Sequence, residues 1–154
     1  MGIILTKPVL VGLHLAFAIV GIDAFIWIIG ELIAKEYSSF RIRLASLIGV
    51  VAFALSWLFG GYYYVVYYGT IVKPIIKAGT APWAHAIVME AKEHIFLFIL
   101  PLALTAMFFT FLKRETVEAM GLKKSGFLLV ALIVVVALTI GAMGYIISAA
   151  ARWG

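Results

Sequence analysis

The sequence predicts an all-α, polytopic membrane protein, an up-down-up-down bundle of four transmembrane helices in a single domain over residues 1–154. Three observations predict it. Apolar residues make up 66% of the chain and charged residues 12%, against roughly 45–50% and about 25% in soluble domains. Four stretches reach the length of about 20 apolar residues that a spanning helix needs. The connections between them are short, which makes consecutive helices antiparallel neighbours. Barrel strands are excluded, because the stretches lack two-residue alternation and are more than twice a strand's length.

The first helix is expected over about 8–34, interrupted by His14, Asp23 and Glu31. It exceeds the apolar run of a signal peptide and is expected to stay in the membrane. "KEYSSFRIR" (35–43) leads to the second helix, about 44–68, and "GTIVKPIIKAGTAPW" (69–83) follows it. The "IVKPIIK" core of that connection is expected to lie on the interface as a short amphipathic element. The third helix, about 83–112, opens on "APWAH" and carries "MEAKEHIFLF" (89–98). "KRETVEAMGLKKSG" (113–126) leads to the fourth, about 127–151, which like the second has no acidic, basic or histidine residue. The sequence shows no internal repeat or low-complexity tract.

The formal charge of +5 is a topology signal rather than a mark of nucleic-acid binding. Lys35, Arg41, Arg43, Lys113, Arg114, Lys123 and Lys124 lie in the first and third loops, against Lys7, Lys73, Lys77, Lys92 and Arg152 toward the other face. The positive-inside bias then predicts cytoplasmic basic loops and both termini outside. The absence of cysteine excludes disulfides, thiolate catalysis, c-type haem attachment and iron–sulfur ligation by this chain.

The candidate site follows from depth. With Lys35 and Lys113 as the inner ends of the first and third helices, His14 levels with Lys92, and His94 lies about 3 Å deeper at 1.5 Å per residue. This layer stands about 30 Å from the inner ends, near the outer edge of the hydrocarbon. Diagonal helices one and three then turn both histidines to the bundle axis, where facing imidazoles are the usual axial pair of a b-type haem. The alternative is a pair of interfacial histidines, His94 meeting Glu90 one turn before it. His85 is nine residues from His94 and faces about 180° away, so it reads as a surface or propionate-side group.

Asp23 likewise faces away from His14, and a carboxylate turned to lipid is costly unless a partner subunit meets it. Glu31 sits about 100° off the His14 direction. "WLFGGYYYVVYYG" (57–69) reads first as an interfacial aromatic belt. Its second reading uses Gly60 and Gly61 as room for a flat macrocycle, with Tyr64 and its neighbours near the carboxylates. Gly141 and Gly144 suit close helix packing before they suit a ligand. Lys92 either serves a propionate or snorkels to headgroups.

"HLAFAIVGIDAFIW" (14–27), "RIRLASLIGVVAFALSWLFGGYYY" (41–64) and "KEHIFLFILPLAL" (92–104) together resemble small four-helix membrane b-type cytochromes, with a pattern like the copper-resistance D type. The resemblance implies one haem b in the cytoplasmic membrane of a prokaryote. His14 and His94 would be its ligands, and quinone or a periplasmic carrier its redox partner. Unlike di-haem members of such groups, the chain has no second deep histidine pair. Two other readings stand beside this one. One is a proton or metal-ion path through Asp23, Glu31, Glu90, Glu93, His14 and His94. The other is a small accessory subunit of a respiratory assembly, docked to other membrane subunits or to a second copy.

Overall fold

The computed structural model describes residues 6–34 and 38–153, all helices and connections with no strand among them. Lys35, used above as the inner end of the first helix, lies outside the described residues. Four helices are long and apolar enough to cross a membrane. We label them α1 (Lys7–Ile33), α2 (Ser39–Ala78), α3 (Ala84–Thr110) and α5 (Lys123–Trp153), with the short α4 (Arg114–Ala119) between the last two.

Local chemistry explains most of the ends. Pro8 opens α1, where its fixed φ suits the helix and its missing N–H is no loss. The Ser38 hydroxyl caps α2 by accepting from the Arg41 amide at 3.4 Å. Gly121, at φ 64°, makes the left-handed turn that lets the chain enter α5.

The second helix does not stop near Tyr68, and "IVKPIIK" is not a separate interfacial element. After Tyr63 the helix widens into π turns over Tyr64–Val72, then resumes α geometry over Lys73–Ala78. The wider register lets Pro74 sit at the start of the resumed α turns, where its missing N–H does no harm. At 40 residues α2 is about 60 Å long by its 1.5 Å rise, roughly twice the hydrocarbon thickness. The start of α3 is also π-wound, over Ala84–Met89.

α1 lies along α2, α3 packs on α2 and α5, and α5 closes on α1. One core of Phe25, Ile28, Phe53, Ile99, Ala103, Ile133 and their neighbours draws on all four long helices. The α1–α2 seam interlocks through glycine: Phe53 lies over Gly21 and Phe25 over Gly49, while the two rings stack with centroids 5.5 Å apart. Leu15, Ile19, Leu97, Phe98, Val135 and Leu138 stay exposed, as lipid-facing residues do.

At the loop end, Glu31 is buried and gathers its surroundings. It accepts from Trp27 Nε1 at 3.2 Å, from the Ser38 amide at 3.1 Å and from Arg41 Nε at 2.9 Å. Nearby, Arg43 Nε donates to the Thr110 carbonyl at 3.2 Å, and Ser46 meets the Thr110 hydroxyl at 3.0 Å. These bonds join the start of α2 to the ends of α1 and α3.

Candidate functional site

The polar side chains of the opposite end converge on one layer. His14 of α1 turns toward α2, where its Nδ1 donates to the Ser56 carbonyl at 2.8 Å and meets the Ser56 hydroxyl at 3.0 Å. The hydroxyl in turn reaches the His14 carbonyl at 3.0 Å. Gly60, one turn beyond Ser56, makes room for the imidazole itself, since a β-carbon there would overlap the ring. Its role as room for a macrocycle is therefore replaced, and Gly61 has nothing within 4 Å of where its β-carbon would stand.

Phe96 of α3 meets His14 edge-on, ring centroids 6.0 Å apart. Lys92, one turn earlier, is within electrostatic reach of His14. Its ammonium nitrogen would lie 3.4 Å from a β-carbon at Gly144 of α5. So the layer expected from depth exists, and Gly144 serves a lysine side chain rather than helix contact alone.

His94 is elsewhere. It is exposed, its Nδ1 2.6 Å from the Glu90 carbonyl of its own helix. Phe96 points at His14, and two residues amount to about 200° of rotation, so His94 faces away from His14. The structure does not bring the two together. Depth followed from the helix ends, but rotation followed from packing, which turned the Lys92–Phe96 side inward.

His85 is buried rather than at the surface. Its Nδ1 lies 3.0 Å from the Tyr68 hydroxyl, and its Nε2 is 3.8 Å from Glu90 Oε1, which is half-exposed. The reason is the extension of α2: the loop expected over 69–83 would have left His85 uncovered, whereas the helix carries Tyr68, Val72 and Ile76 over the start of α3. Tyr64 stacks on Tyr68 with centroids 5.3 Å apart, and its hydroxyl lies beside the Glu93 carboxyl. Glu93 Oε1 is buried and, among the described residues, has no hydrogen-bond partner.

These contacts make two protonatable segments, Glu90–His85–Tyr68 and Tyr64–Glu93, with Lys92 and His14–Ser56 beyond them. Tyr68 lies within electrostatic reach of Glu93. Past this layer the interior is the apolar core. Sequence reasoning named Glu93 as part of a proton path but missed Ser56 and the Tyr68–His85 bond. A serine four residues before Gly60 and two tyrosines four apart were the available signals, since such spacings share a helix face.

A haem between His14 and His94 of one chain does not fit this arrangement. One imidazole is tied to Ser56 and the other faces outward. No group of three or more His, Asp or Glu side chains is placed to hold a metal ion among the described residues. Asp23 is exposed on the outward side of α1, as its spacing from His14 predicts.

Gly60→Val should displace the imidazole, break the His14–Ser56 bonds and cost about 1–3 kcal/mol of stability, as overpacking does. Unfolding in mild detergent measures the cost. Gly61→Val, with open space around it, should leave stability nearly unchanged. Comparison with protein-family models, with curated proteins and with solved structures finds no match to this chain.

Proposed function

We propose that this chain is an integral membrane subunit that exchanges protons between the outer surface and a buried layer. It is read as an up-down-up-down four-helix bundle with both termini outside and the basic loops in the cytoplasm, in keeping with the charge bias. The observation that carries the function is Glu93 Oε1, a buried acceptor open to one more donor, close to a chain that reaches the surface at Glu90. Buried polar atoms without partners are rare, and an intramembrane ionisable cluster is a functional site by default.

The chemistry runs through ordinary tautomers. Glu90 collects a proton at the boundary, and imidazole accepts at one nitrogen while releasing from the other. His85 is placed to do so, Nε2 toward Glu90 and Nδ1 on the Tyr68 hydroxyl. Tyr68 and Tyr64 stand between this imidazole and Glu93, with Lys92 at the end of the path. The apolar core then stops conduction across the chain, so the site loads and unloads on one side. Asp23 and His94, both outward-facing, support an accessory role in which another subunit or a second copy meets them.

Infrared spectroscopy of the reconstituted protein tests this. A carboxyl band that exchanges in heavy water is expected, lost in Glu93→Gln and at least tenfold slower to exchange in His85→Ala. Equal exchange in wild type and His85→Ala would sink the relay. A low-spin haem spectrum after expression with ample haem, abolished by both His14→Ala and His94→Ala, would establish the cytochrome reading instead.

A further inference from the structure

At the opposite end of the molecule from Glu93, an open cleft of about 580 Å³ lies between the end of α1, the short α4 and the start of α5. This volume is within the range of small-ligand sites. Leu32, Val117 and Phe127 line its apolar wall, and Glu118, Lys123 and Lys124 stand on its polar side. The left-handed turn at Gly121 places the two lysines there. Glu118 is engaged by Arg114 at 2.8 Å. Neither lysine has an ion pair among the described residues.

We propose that this cleft binds one anionic phospholipid of the adjoining leaflet. A cationic rim over an apolar wall, at the level where spanning helices end, matches a phosphate headgroup with its acyl chain. A small soluble anion would leave Leu32, Val117 and Phe127 without a partner. A zwitterionic lipid would bring its own cation against Lys123 and Lys124. The inference stands apart from the proton-exchange reading, which concerns the other end of the molecule.

Native mass spectrometry of the full chain, released from micelles holding equal dioleoylphosphatidylglycerol and dioleoylphosphatidylcholine, is the test. One phosphatidylglycerol should be retained in preference to phosphatidylcholine. Two basic residues near a membrane surface correspond to an affinity loss of about thirtyfold in Lys123→Gln/Lys124→Gln. Glu118→Gln, which removes the opposing charge without touching the lysines, should strengthen retention. Equal retention of the two lipids overturns the proposal, as does retention unaffected by the double variant or not raised by Glu118→Gln. Displacement by glycerol phosphate as effective as by the lipid would also overturn it, because the apolar wall would then contribute nothing.

Discussion

Gly49→Leu is expected to destabilise the α1–α2 seam by about 1–3 kcal/mol, and Gly21→Leu by a similar amount. Each glycine receives the phenylalanine of the facing helix, Phe25 on Gly49 and Phe53 on Gly21. In the membrane, helix association depends on such close packing, since lipid is as apolar as leucine and burial alone gives no advantage. The two rings also stack within 7° of parallel, so neither can turn aside without disturbing the other. The double variant should therefore depart from the sum of the two, as contacting sites do. Gly12→Leu and Gly30→Leu are the controls. Nothing lies within 4 Å of a β-carbon at either position, and each change should stay within about 0.5 kcal/mol. Reversible unfolding in mixed detergent micelles measures all five proteins, and Gly49→Leu as silent as Gly30→Leu would refute the seam.

Asp23→Leu is expected to weaken association with a partner subunit or a second copy roughly a hundredfold. Asp23 is exposed on α1 among Ile19, Val20, Ile26 and Trp27. A carboxylate at a spanning helix centre costs about 2.5–3.5 kcal/mol on insertion scales. A dissociated chain bears that cost, whereas an assembled one meets Asp23 with protein. Leucine removes the cost from the dissociated state and with it that much of the drive to associate, at about 1.4 kcal/mol per factor of ten. Sedimentation in a mild detergent, or co-purification from solubilised membranes, reads the change. Association equal in Asp23→Leu and wild type would mean that Asp23 meets lipid and headgroups alone.

Depth along the helices was legible in the sequence, and rotation about them was not. Aligning the ends of the first and third helices put His14 level with Lys92, and the structure has the two in electrostatic reach. The opposed faces of His14 and Asp23, and of His85 and His94, also follow from 100° per residue alone. Those relations hold within one helix. Which face turns inward depends on what the neighbouring helix offers. Ser56 and Gly60 accept the His14 ring, while Phe96 and Lys92 occupy the inward side that His94 was expected to take.

The sequence by itself determined four long apolar helices and the breaks near Ala34 and Lys113, because hydropathy, proline, glycine and charge are local properties. It also determined the outward place of Asp23 once His14 faces in. Only the tertiary structure decided the length of α2, the burial of His85 and the company of Glu93. π winding over Tyr64–Val72 carries α2 to Ala78 and over the start of α3, so Tyr68 covers a histidine that a loop would have left in the open. No local propensity encodes that cover, since it depends on residues 17 apart being held against each other by the packing of two helices.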